Sequence, residues 1–152
     1  MPPLDRTSVF GRLWGSYIDP KKTWLDLPEF YRGKGAAGAM AYEGLGRLVD
    51  SNGIWRGDLE PGAVIQTWHD AADVDRVRDG DLPVSYGHSF IFLNYVYTGS
   101  AISGIAMADQ GYQNSAPLAQ GDYGFWVGAN LGRARAMGPP KDPNVVRYGP
   151  NP

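Results

Sequence analysis

The sequence predicts a single α+β domain: one helix packed on a small antiparallel sheet. Three observations lead there. Aromatic and β-branched runs of strand length recur after residue 60, bounded by glycine, proline or short polar residues. One stretch, Ala36 to Val49, has apolar residues at near-helical spacing. The chain's 21 glycines and 12 prolines suit short elements and long loops better than a helix bundle.

Taken in order, residues 1–35 show no periodicity and read as an irregular N-terminal arm with at most one short helix. In it Asp19-Pro20-Lys21 suggests a turn, and Thr23 to Pro28 offers aromatic surface to the core. Ala36 to Val49 reads as one helix, rich in small residues where it must approach other backbone, although Gly44 and Gly46 weaken its last turns. Leu59-Glu60-Pro61-Gly62 is a turn leading into a strand over Ala63 to Trp68. His69 to Pro83 is polar and reads as a solvated loop or short surface helix; its acidic residues lack the glycine and terminal glutamate of a helix-loop-helix calcium site. Tyr86 to Tyr95 reads as a largely buried strand with His88 at its start. A Thr98-Gly99-Ser100 hairpin returns the chain over Ala101 to Ala108, and Asp109-Gln110-Gly111 ends that strand. Asp122 to Leu131 gives the closing strand. The core thus spans 36–131, and 132–152 is a proline-rich extended tail.

Composition narrows the function. The length suits one domain with one core. A net charge of −2 with scattered lysines and arginines argues against a nucleic-acid partner. No apolar run reaches the roughly 20 residues of a membrane span, and Met1 to Phe10 lacks the apolar segment of a signal peptide. The chain is therefore expected to be made in the cytoplasm, or to be part of something longer. The absence of cysteine excludes disulfides, thiolate metal sites and a thiol nucleophile. No cofactor and no metal site is expected.

His88 is the leading catalytic candidate, because a histidine where a strand leaves a loop can face a cleft and exchange protons near neutral pH. His69, at the other strand end, reads as a loop residue. Ser85 and Ser89 flank His88 without the strand-to-helix elbow of a serine nucleophile. Glu43 reads as solvent-facing, and Trp55, Trp68 and Trp126 as core.

Helix, Leu-x-Pro-Gly turn, strand, Gly-His strand, hairpin and aromatic strand occur here in the order found in NlpC-type cell-wall cysteine peptidases, compact relatives of papain, which the chain resembles over roughly Gly33 to Leu131. In that family a cysteine, a small residue and a glycine open the helix; a Leu-x-Pro-Gly-Asp turn leads into a strand; a Gly-His pair opens the next; and a polar residue on the following strand orients the histidine. Leu59, Pro61 and Gly62 match the turn, with Ala63 in place of the aspartate, and Gly87-His88 matches the histidine element. Asp109 or Gln110 falls where the orienting residue belongs. The departure is at the helix, where Ala36, or in another register Ala37, occupies the nucleophile position.

The resemblance implies a papain-like NlpC-type fold. It implies thiolate attack from position 36, His88 as base, Asp109 or Gln110 holding the imidazole, and an oxyanion site of backbone N–H groups around Ala37 and Gly38. Tyr86 either lines the cleft or covers the core. Two explanations fit the missing thiol: an enzyme with alanine substituted for cysteine, which the retained His88 favours, or a protein that never had it and only binds. The activity implied is amide hydrolysis of peptidoglycan stem peptides, inactive in this chain. A delivered antibacterial effector toxin, with an immunity or delivery protein as partner, would fit the absent export signal. The rivals are a non-catalytic binding module on the same fold and an intracellular thiol hydrolase or acyltransferase acting on proteins or lipids.

Overall fold

A computed structural model describes residues 22–81, 87–109 and 117–132. Most of the arm, Tyr86, Gln110 and all but the first residue of the predicted tail lie outside them. The described chain is α+β: three short helices and a five-stranded antiparallel sheet.

The end of the arm belongs to the core. Two 3-10 turns, Thr23–Asp26 and Glu29–Tyr31, bury Trp24, Leu27 and Tyr31. The Trp24 indole N–H donates to Val77 O at 2.6 Å, so its one polar atom is satisfied inside.

The predicted helix over Ala36–Val49 is corrected in its second half. Helix α1 spans Gly35–Tyr42 and stops there because Gly44 takes a left-handed φ of 76°. Leu45 N–H donates to Met40 O at 2.8 Å and Gly44 N–H to Ala41 O at 3.1 Å, the paired bonds of a Schellman C-cap. Glu43 is the capping residue rather than part of the helix. Beyond it Gly46–Val49 forms strand β1, whose Leu48 and Val49 enter the core from opposite faces of the sheet.

Helix α2, Ser51–Arg56, has no counterpart among the expected elements. Asp50 caps it, accepting from Gly53 N–H at 2.8 Å, and Gly57 ends it at φ 107°. Strand β2 is Val64–Trp68, and helix α3, Asp73–Asp79, is the surface helix of the polar stretch. In α3 the acidic residues meet arginines, with Arg76 on buried Asp73 at 2.7 Å and Arg78 on Asp75 at 2.9 Å.

Strand β3, Gly87–Thr98, runs past the predicted Tyr95 before the hairpin at Gly99 turns it into β4, Ala101–Ala108. A 3-10 turn at Gln120–Asp122 precedes β5, Phe125–Leu131. The sheet order is β1-β5-β2-β3-β4, antiparallel throughout.

Side chains alternate between the two faces. One face carries Leu48, Val64, Val127 and Ala129 under Ala37 and Ala41 of α1. The other carries Val49, Ile65, Phe90, Phe92 and Trp126, covered by Ile54 of α2, Leu59 and Leu118. Each valine, leucine, isoleucine or phenylalanine among them contributes about 1.5–3 kcal/mol on removal from water before entropy is counted. Tyr95 ties the second layer down: its hydroxyl donates to Ile54 O at 2.6 Å and accepts from Leu59 N–H at 2.9 Å. No helix among the described residues is long and apolar enough to cross a membrane.

Candidate functional site

A candidate site is a cavity of about 630 Å³ where the start of α1 meets β3 and the end of β4. Three of the expected site residues, Ala36, His88 and Asp109, line it. Its other walls are apolar, from Met40, Val64, Ile65, Phe90, Ile91 and Ala108, with Ser89 as a further polar residue.

Asp109 holds the imidazole. His88 Nε2 lies 2.7 Å from Asp109 Oδ2, with the carboxylate side chain only 7% exposed and the imidazole 37%. An ionised carboxylate accepts only, so Nε2 carries the proton and Nδ1 keeps the lone pair in the neutral ring. The glycine before it is needed for packing: a Cβ at Gly87 would sit 2.5 Å from the Trp68 ring and 2.7 Å from Thr67 O.

Strand register separates the imidazole from the helix. His88 pairs with Thr67 and Phe90 with Ile65, on the sheet face opposite α1, and the His88 and Phe90 rings lie 5.5 Å apart. Ser89 pairs with Gln66 on the α1 side and donates to Gln66 Oε1 at 2.5 Å. Gln66 in turn backs onto Gly35, where a Cβ would overlap Oε1. The strand residue that faces the helix start is thus Ser89, and the cavity draws residues of both parities because one wall is the backbone and edge of β3 itself. Period-two alternation back from Phe90 and Phe92 is the sequence signal that would have revealed this.

Of the N–H groups expected at an oxyanion site, that of Gly38 donates to Lys34 O at 3.1 Å as the first intrahelical bond. Ala36 and Ala37 precede that bond, so their N–H groups have no acceptor within the helix, and no side chain caps it. Ala37 is itself buried against the sheet. His69 is exposed beside Asp70, its Nδ1 3.3 Å from Oδ1, and does not line the cavity. Trp68 and Trp126 are core, and Trp55 is half-buried edge-on to Trp126. Among the described residues no group of three or more histidine and acidic side chains is placed to hold a metal. Tyr86 and Gln110 fall outside the described residues.

Lys34, just before α1, escaped the sequence reading. Burial, and after it the Arg78 guanidinium, push its ammonium down from 10.5 to about 8. The native state then releases this proton near pH 8 and the unfolded chain near 10.5, so the unfolded state binds more protons in between and stability rises with pH there. Replacement of Lys34 by methionine should remove that rise and stabilise the fold at pH 7 by about 1–2 kcal/mol, screening of the half-buried group included. Urea titrations of both proteins at pH 7 and 10 would check it.

Compared with known proteins, the chain matches no family model, no curated protein and no solved structure. The likeness to NlpC-type peptidases therefore rests on the motifs alone.

Proposed function

We propose that this chain is a non-catalytic binding domain whose main cavity takes an uncharged aliphatic group of its ligand while His88 holds an adjacent polar atom. The observation that supports this is the parity of β3. A methyl group stands at position 36, and the strand faces it with Ser89 already bonded to Gln66, while the imidazole belongs to the opposite face. Nucleophilic catalysis needs nucleophile and base within hydrogen-bond reach. Among the described residues the lining includes no lysine or arginine and carries the Asp109 carboxylate, which favours a neutral ligand over an anionic stem peptide. Titration with hexanamide and N-acetyl-leucinamide, followed by methyl NMR at Met40, Ile91 and Ala108, should show saturable shifts. Ile91→Asp should weaken binding at least tenfold, or about 1.4 kcal/mol. No shift at any of these methyls up to millimolar ligand would sink the reading.

A second reading, a papain-like amide hydrolase of peptidoglycan stems lacking its thiol, has one observation in its favour: positions 36, 88 and 109 share a cavity, with Nε2 tethered and Nδ1 left as the basic nitrogen. It predicts that Ala36→Cys releases stem peptides from cell wall and that adding His88→Ala abolishes the release. On the binding reading Ala36→Cys cleaves nothing, and the reactivity of the new thiol is unchanged by His88→Ala.

A further inference from the structure

Among the described residues, the polar side chains that line the main cavity are those of His88, Ser89 and Asp109. Each offers a ligand lone pairs only. An ionised Asp109 has no proton to give, and His88 gives the one on Nε2 to it at 2.7 Å, which leaves the lone pair on Nδ1 of the neutral ring. The Ser89 hydroxyl could serve either way, and Gln66, behind the lining, decides it. Gln66 Nε2 donates to Thr67 O at 2.8 Å, and a carbonyl can only accept. Turning the amide over would set two oxygens against each other, so Oε1 stays on the side of Ser89 and takes its proton at 2.5 Å. Nor can the amide swing away: Gln66 is 5% exposed, and the backbone of Gly35 lies so close that a Cβ there would overlap Oε1. Ser89 itself is exposed, so the lone pairs left on its Oγ are open to a ligand.

We propose that Gln66 is a positioning residue: by taking the Ser89 proton it sets the polar side chains of the cavity as acceptors, so that the ligand must bring an N–H beside its aliphatic body. The inference rests on the binding reading above and adds the class of the ligand, an aliphatic carboxamide with a free N–H. Its chain lies against Met40, Val64 and Ile91, and its N–H meets a lone pair of Ser89 or His88. Backbone N–H groups at the α1 start, which find no acceptor within the helix, suit the carbonyl of the same amide. An ester of the same shape brings no N–H. Ser89 and His88 then lose water on binding and gain no partner, the situation in which a hydrogen-bonding site rejects an analogue most strongly. An ammonium ion also brings N–H, but it must shed its hydration beside a carboxylate that is already bonded to His88.

N-methylhexanamide and methyl hexanoate have the same shape and differ only in N–H against O. Titrated into the full chain and followed by methyl NMR at Met40 and Ile91, the amide should bind more tightly than the ester by about tenfold or more. In Gln66→Met the Ser89 hydroxyl is released to donate to the ester, so the ratio of the two affinities should fall by about threefold or more while circular dichroism stays unchanged. A purely structural role for Gln66 would weaken both ligands together and leave the ratio as it was. The wild-type comparison stands even if the variant does not fold. An ester that binds the wild type as tightly as the amide, or a ratio unchanged in folded Gln66→Met, would overturn the inference. Failure of both molecules to bind the wild type would instead overturn the binding reading beneath it.

Discussion

Replacing Trp126 by alanine is expected to remove about 3–5 kcal/mol of folding stability, the range for emptying an aromatic site in a packed core. The residue is 2% exposed and central to one layer. Its rings meet Trp55, Tyr123 and Phe90 in edge-on contacts at centroid distances of 5.0, 5.5 and 6.2 Å, and its indole N–H donates to Gln120 O at 3.0 Å. The loss should fall at the upper end because the neighbours cannot collapse into the space: Phe90 sits on a central strand, and Trp55 projects from a helix pinned by Asp50. Phe90 also carries the His88 ring, so the variant should loosen the His88–Asp109 pair. Urea denaturation with an unchanged slope would measure the loss. A loss below about 1.5 kcal/mol would mean that this aromatic layer is not close-packed.

The parts of the fold that could be read in advance were those with local physical signals. The Pro61-Gly62 turn, the Gly99 hairpin and the aromatic runs around Phe90 and Trp126 each announce themselves within a few residues. The boundary at Tyr42 did not, because Leu45, Leu48 and Val49 fit a helix and a strand equally, and only the left-handed Gly44 decides between them. Helix α2 had a legible cap in Asp50 and a legible stop in Gly57, but its single turn and a half is shorter than any periodicity can show. Part of the candidate site was legible as well, since His88, Ala36 and Asp109 line one cavity. Which way His88 points was not, because a Gly-His pair fixes where the strand begins and leaves its parity to the pairing with β2. Lys34 gave no signal, since its environment is assembled from residues distant in sequence, Arg78 among them.

Gly38→Ala offers the sharper test of how α1 is seated, because two effects of opposite sign compete. Helix propensity favours alanine over an interior glycine by about 1 kcal/mol, so a helix judged by itself should gain. Packing opposes it: a Cβ at Gly38 would lie 2.5 Å from Tyr31 O and 2.8 Å from Lys34 Cβ. The first of these is backbone, in a turn whose Tyr31 side chain is 2% exposed and in edge or tilted contact with Phe30 and Tyr42 at 5.4 and 5.3 Å, so it cannot retreat. The helix must then lift off the turn, and overpacking of this kind costs about 1–3 kcal/mol, enough to reverse the propensity gain. Gly121→Ala, where nothing lies within 4 Å of the added methyl, is the control and should change stability by no more than about 0.5 kcal/mol. The lift would also carry Ala36 and Met40 away from β3, so Gly38→Ala should weaken hexanamide binding as well as lower the melting temperature. A stabilised Gly38→Ala protein would show instead that α1 does not press on Tyr31, and the cavity between α1 and β3 would lose the fixed wall on which the binding proposal depends.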